Sequence, residues 1–327
     1  MFLPDLKFSL WADFIERDFI EGELKVLIRN GIVNGATSNP AIFKNAILTS
    51  KAYSLQLDEL KNHEPKVKYE ALAVYDIQKA ADVLRPLYDA GDDGYVSIEV
   101  DPFLCDDAIA TIEEGRRLYR TIDRPNVMIK VPATSAGYQA MEALICEGIP
   151  VNATLVFSKA QALACVKAVR NGLEQGSKKV ETVISVFVSR LDRALDAELE
   201  RKGIQPALTG IYNAADIYAA VEEEAVPGLR TLFASTGVKG GGLRPSYYVD
   251  ELLAYHSVNT APITTIEAFV EGGESEAKLP IDPARIEAHF ARIAEAGIDL
   301  DAVIARLMTE GLDAFKTAFA EILSELG

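Results

Sequence analysis

The chain has 327 residues, 49% of them apolar and 25% charged, and carries a formal net charge of −16. A chain of this length buries a core without disulfide staples, and α/β barrels of this size fold as one unit. The acidic balance argues against a nucleic-acid or anionic-membrane surface, and no apolar run reaches the roughly 18–20 residues of a membrane span.

Short β-branched or apolar runs recur along the chain: SLWADF (9–14), NGATS (34–38), VSIEV (96–100), VMIKV (127–131), VNATLVF (151–157), TVISVF (182–187), LRTLFAS (229–235) and YHSVNTA (255–261). Between them lie helical patterns with apolar residues three and four apart, at 23–28, 69–88, 108–119, 136–147, 159–171, 191–201, 214–225 and 247–253. Short buried strands alternating with helices imply parallel pairing and right-handed crossovers. Eight such units predict an α/β chain folded as a (β/α)8 TIM barrel. NGATS and YHSVNTA are weak strand formers and hold their place by position in the alternation. A doubly wound open sheet is the alternative, yet SLWADFIERD lacks its glycine-rich first turn.

Residues 272–283 mix Gly, Ser, Glu and Pro and read as a loop. Two amphipathic helices follow, 283–296 and 299–326, with Asp282 and Asp299 as caps. They either complete the outer ring or cover one mouth. No composition break marks a second domain, so 1–327 reads as one barrel domain with 283–327 as a C-terminal helical extension.

Polar residues at the C-terminal ends of barrel strands face the active site. In order, the ends carry Asp13, then Thr37, Ser38 and Asn39, then Glu99 and Asp101, and then Lys130. Asn152 with Thr154, Ser185 with Arg190, Ser235 with Lys239, and Asn259 complete the series. Lys130 sits within VMIKVP, where a buried ammonium is costly and desolvation favours an amine able to attack a carbonyl. A lysine that snorkels or pairs with an acid is the structural alternative. Glu99, on the preceding strand, suits proton shuttling beside such a lysine, or a structural ion pair with it. Asp13 is a second acid–base candidate, or a helix cap. Arg190 suits a bidentate grip on an anion, or a bridge to Asp192 or Asp196 on the next helix. STGVKGGG (235–242) reads as a phosphate cradle holding Lys239, and equally as a βα loop.

Other patterns are missing. His63, His256 and His289 form no metal spacing, and no G-x-S-x-G, Walker A or H-E-x-x-H appears. Cys105, Cys146 and Cys165 fit neither a disulfide framework nor a zinc site, and read as thiols of a reducing compartment. The N-terminal MFLPDLKFSLWADF lacks the long apolar core of a signal peptide, so the expected location is the cytoplasm.

Four blocks resemble one family. GATSNPAIF (35–43) looks like the first transaldolase signature, whose Thr-Ser-Asn-Pro core follows the second barrel strand. VMIKVPATSAG (127–137) resembles the second, built around the Schiff-base lysine. NATLVFS (152–158) and SVFVSRLD (185–192) agree in order and spacing, and the similarity runs over residues 11–262. The length and the STGVKG and VNTAP segments resemble the longer-chain bacterial branch.

The resemblance implies a barrel needing no metal or organic cofactor. Its reaction moves a dihydroxyacetone unit from sedoheptulose 7-phosphate or fructose 6-phosphate to glyceraldehyde 3-phosphate or erythrose 4-phosphate, in the non-oxidative pentose phosphate pathway. By the same resemblance Lys130 forms the imine, and Glu99 with Thr154 holds the proton-relaying water. Asp13 takes the hydroxyl proton as the carbon–carbon bond breaks. Asn39, Asn152 and Ser185 bind substrate hydroxyls, and Arg190 and Ser235 bind phosphate. Gly237 stands where many members have an arginine, and Lys239 is the expected substitute. Many members are homodimers, an assembly the resemblance admits here while the sequence itself specifies none.

The nearest rival is a fructose-6-phosphate aldolase-type lyase, which releases the three-carbon unit. Those chains are far shorter and carry a tyrosine where this one has Phe187. Without that hydroxyl the releasing water is less well held, which favours transfer. A non-catalytic phosphosugar-binding barrel is a second rival; its mark would be loss of Lys130, Glu99 or Asp13, and all three are present.

Overall fold

A computed structural model of the chain describes residues 1–240 and 242–327, so Gly241 of the expected 235–242 cradle lies outside the described residues. Strand β1 (Ser9–Ala12) is followed by α1 (Arg17–Glu21) and α2 (Glu23–Arg29), and β2 (Gly35–Thr37) by α3 (Pro40–Thr49), α4 (Ser54–Glu59) and α5 (Pro65–Asp89). Next come β3 (Val96–Glu99), α6 (Ala108–Ile122), β4 (Val127–Pro132), α7 (Ser135–Cys146), β5 (Val151–Val156) and α8 (Lys159–Gln175). The series continues with β6 (Thr182–Phe187), α9 (Ser189–Arg201), α10 (Thr209–Glu223), β7 (Leu229–Ala234) and α11 (Tyr247–Glu251). It closes with β8 (Val258–Ala261), α12 (Ile263–Gly272), α13 (Pro283–Glu295) and α14 (Leu300–Leu326). All eight strands pair in parallel with their sequence neighbours, and β8 pairs with β1 through Ser9↔Val258 to Ala12↔Ala261. The sheet is a closed (β/α)8 barrel with added C-terminal helices.

Every strand expected from the sequence is present, including the two weak ones. Four helices are additional: α1, α3, α4 and α12. In α3 the start signal was legible, because Asn39 caps the helix and Pro40 occupies its first turn. In α12 the opening Ile263, Thr264, Thr265 and Ile266 are β-branched, which lowers helix propensity and hides the element. Helix α10 starts five residues before the expected 214, where the buried Asp192 carboxylate of α9 accepts from Gly210 N at 2.7 Å.

Side chains two apart on a strand share a face, and the inward faces stack in layers. Trp11, Met128, Val183, Leu232 and Val258 fill one apolar layer inside the barrel. Gly35 of β2 explains its own weak strand propensity: a Cβ there would lie 2.6 Å from Trp11 Cε2. The indole needs the space that the missing side chain leaves. Below this layer Asp93 accepts from Trp11 Nε1 at 3.0 Å and from Arg230 Nη2 at 2.7 Å, so a buried ion pair plugs the N-terminal mouth. At the other mouth, α14 packs on α3, α5 and α9 and touches β5, bringing Leu307 and Phe315 into the interior cluster. Helix α13 packs instead on α10. Of the two placements expected for these helices, α14 takes the cover and α13 the ring. Asp282 and Asp299 cap them as expected. Among the described residues no helix is long and apolar enough to cross a membrane.

Removing one partner of a buried pair leaves an uncompensated charge. Asp93→Ala, which strands Arg230 and the Trp11 N–H, is expected to destabilise the fold by about 3–5 kcal/mol in urea unfolding. A loss below about 1 kcal/mol, the range of exposed pairs, would contradict this account of the plug.

Candidate active site

One layer above Met128 and Val183 the inward positions turn polar. Register places Glu99 beside Lys130, and Lys130 beside Asn152. Lys130 Nζ donates to Ser38 O at 3.1 Å and lies 3.8 Å from Glu99 Oε2, with both side chains 6% exposed or less. The Phe315 ring of α14 stands 5.9 Å from the amine. The expected pairing with an acid is therefore present, but it is loose and lies where a pocket reaches the lysine. Burial pushes the Glu99 carboxyl up to about 7, and the neighbouring Lys130 opposes that only in part. Burial also raises Asp13 from its ordinary value, against the pull of Lys130 and of the Thr37 hydroxyl that donates to it at 2.7 Å. Asp13 is not a helix cap; Glu16 caps α1.

The packing of β4 against its following helix holds this lysine in place. A Cβ at Gly137, in the first turn of α7, would sit 2.0 Å from the Pro132 carbonyl oxygen, so only glycine allows the helix to start there. That gives the closing glycine of VMIKVPATSAG a physical reason.

Asn152 is fully buried, donating to Ser97 Oγ at 3.0 Å and accepting from Ser185 Oγ at 2.6 Å. Thr154 is also fully buried, and its Oγ1 has no hydrogen-bond partner among the described residues. Glu99 Oε2 shares that condition. Strand β5 is bulged here: its register with β6 shifts between Ala153 and Val156, and Leu155 adopts φ 58. A left-handed leucine costs about 1–2 kcal/mol, and bulges of this kind re-aim side chains next to active sites.

The pocket above encloses about 260 Å³ and is lined by Asp13, Asn39, Lys130, Ser185, Phe187, Arg190, Ser235 and Lys239 among others. Glu99, Asn152 and Thr154 do not line it; Glu99 reaches it through Lys130 and Asn152 through Ser185. Asn39 spends its carbonyl oxygen on capping Ile42 N, which leaves the amide end for a ligand. Arg190 bridges neither Asp192 nor Asp196, which bond the backbone of Gly210 and Ala207. Its guanidinium lies 4.9 Å over the Phe187 ring. Ser189 and Ser235 hydroxyls meet at 3.2 Å between the ends of β6 and β7.

Two strand-end residues do not contribute. Asp101 caps a turn and pairs with Lys66, and Asn259 accepts from Thr236 Oγ1 at 2.8 Å, leaving Thr260 as the pocket wall. Sequence reasoning also missed Ser97, Ser189, Arg193 and Phe315. Ser97 was findable, since it lies two positions from Glu99 on the same strand. Phe315 was not, because only the docking of α14 brings it there.

With this geometry in view, comparisons with known proteins are specific. The model of the Transaldolase/Fructose-6-phosphate aldolase family matches residues 10–326. The chain belongs to that family. It is 43% identical over 320 residues to a transaldolase of Helicobacter pylori, covering 97% of this chain and 98% of the relative. A transaldolase of Campylobacter jejuni is 44% identical over 330 residues, covering 98% and 99%. Like these relatives, the chain is an enzyme of the family, and the resemblance read from the four sequence blocks holds over nearly its whole length.

The raised Glu99 carboxyl has a consequence for stability. An acid that holds its proton more tightly when folded stabilises the fold below its unfolded value of 4.5, and that contribution is lost as pH rises through about 7. Glu99→Gln should therefore gain on the parent across this window, by an amount on the order of 3 kcal/mol. Urea midpoints taken from pH 4 to 8 check this, and parallel curves for the two proteins would rule it out.

Proposed function

We propose that this enzyme is a transaldolase that moves a three-carbon dihydroxyacetone unit between sugar phosphates through an imine on Lys130. The observation that carries the reading is the buried Lys130 amine, open to a pocket shared with Asp13 and bordered by a carboxyl pushed up to about 7. The amine adds to the ketone of sedoheptulose 7-phosphate or fructose 6-phosphate, and the resulting carbinolamine loses water to give an iminium. Glu99, poised between its two protonation states near neutrality, donates and accepts the protons of these steps. The orphaned Glu99 Oε2 and Thr154 Oγ1 favour a water held between them as the relay.

Asp13 then takes the proton of the substrate hydroxyl, the neighbouring carbon–carbon bond breaks, and its electrons pass into the iminium to form an enamine. An aldose phosphate leaves. Glyceraldehyde 3-phosphate or erythrose 4-phosphate enters, the enamine carbon attacks its aldehyde, and Asp13 returns the proton. Hydrolysis of the new imine frees Lys130. Asn39 and Ser185 orient the three-carbon unit, with Asn152 acting through its bond to the Ser185 hydroxyl, while Arg190, Ser235 and Lys239 receive the phosphate. Phe187 offers no hydroxyl to a hydrolytic water, which favours transfer over release. The family resemblance supports assigning this reaction to the non-oxidative pentose phosphate pathway, in the cytoplasm.

Borohydride added with fructose 6-phosphate should fix one reduced three-carbon unit on Lys130, seen by peptide mass spectrometry, and none in Lys130→Ala. An unmodified Lys130 in the parent refutes the imine. Transfer is separated from release by the acceptor: dihydroxyacetone set free without erythrose 4-phosphate should appear far more slowly than transfer with it. Comparable rates would make the enzyme a lyase.

A further inference from the structure

We propose that Arg193 is a substrate-binding residue that supplies, from α9, the second guanidinium for the substrate phosphate, and thereby selects phosphorylated over unphosphorylated sugars. The inference rests on the transaldolase reading and names a residue that reading did not include.

The loop after β7 is poorly placed to supply that group. A Cβ at Gly237 would stand 3.0 Å from Pro262 Cγ and 3.4 Å from its Cδ, so a side chain there is crowded by the proline ring at the end of β8 unless that ring gives way slightly. Helix α9 enters the same pocket from the adjacent strand end. Arg190 and Arg193 are three residues apart on it, share one helical face, and both line the pocket. Lys239 lines it too and is exposed like Arg193, but it is a point charge on a loop, whereas an arginine fork on a helix matches phosphate oxygens in pairs.

The electrostatics of the pair call for an anion. Arg190 is held below its ordinary value first by burial and next by the charge of Arg193, the sign of two cations crowded together. Neither forms a salt bridge among the described residues, in a chain with 49 acids against 33 lysines and arginines. Glu310 of α14, whose charge favours that of Arg190, is itself 3.7 Å from Arg306. With stacking on Phe187 fixing Arg190 and the Ser189 and Ser235 hydroxyls beside it, a phosphate dianion between the two guanidinium groups relieves their repulsion.

The test compares erythrose 4-phosphate with erythrose as acceptor, in the parent, Arg193→Ala, Arg193→Lys and Lys239→Ala, alongside calorimetric titration of each protein with inorganic phosphate. For Arg193→Ala the KM for erythrose 4-phosphate should rise about 10- to 100-fold, the worth of a charge-assisted contact. The KM for erythrose should move little, and phosphate affinity should fall in step. Arg193→Lys should recover part of the loss, and Lys239→Ala should produce a smaller one. Equal changes for both acceptors, no change for either, or a larger loss in Lys239→Ala would overturn the assignment. Borohydride trapping on the parent keeps the two questions apart. If Lys130 takes up no three-carbon unit, the transfer reading falls, and the phosphate titrations alone then decide the role of Arg193.

Discussion

Closing eight parallel strands on themselves sends every second side chain into a space that other side chains must fill. Along β4 that alternation puts Met128 in the dry middle layer and Lys130 one step higher, where the strands end. The amine is thus held above a floor of packed hydrocarbon, with a backbone carbonyl at 3.1 Å and the Glu99 carboxyl at 3.8 Å beside it. Ion-pair geometry this loose does little to offset desolvation, and the stress appears on Glu99, whose carboxyl rises to about 7. Reactivity at the site is therefore a by-product of closure. An open sheet would let water reach Glu99 and relieve the burial that raises it.

The two ends of the pocket are electrostatically different. Around Lys130 one amine meets two carboxyls, and two buried oxygens lack partners among the described residues. Towards the rim Arg190, Arg193 and Lys239 gather positive charge on a chain whose net charge is −16. A ligand with a carbonyl at one end and an anion at the other fits this polarity in one direction only. Local cations within an acidic molecule also limit non-specific binding of polyanions, which the net negative charge repels.

Helix α14 joins the two ends. Phe315 faces the amine, and an added Cβ on Gly311 would lie 3.2 Å from Arg190 Nη1, so one helix borders both the lysine and the Arg190 guanidinium. Its Leu307 and Phe315 extend the barrel's apolar interior over the mouth and exclude water from one side of it. The strained Leu155 under that helix belongs to the same construction, since the bulge that holds it also ends the regular part of β5 beside Thr154.

Periodicity along the chain was enough to specify eight strands, their parallel order and the polar character of their ends, because each of these follows from local alternation. It also marked Lys130, since an ammonium inside VMIKVP conflicts with its neighbours whatever surrounds it. Alternation did not carry through the irregular ends. Asn259 and Thr260 were separated only by the final phase of β8, and Asp13 was excluded as a cap by where α1 begins. Contacts between distant segments lay further out of reach. The looseness of the Lys130–Glu99 pair depends on two strands meeting in register, the placement of Phe315 depends on a helix docking from the far end of the chain, and the crowding of Gly237 by Pro262 depends on two loops meeting. Residue type and spacing determine which face a side chain takes, but the distance between two such faces is set only when the barrel closes and its cover is packed.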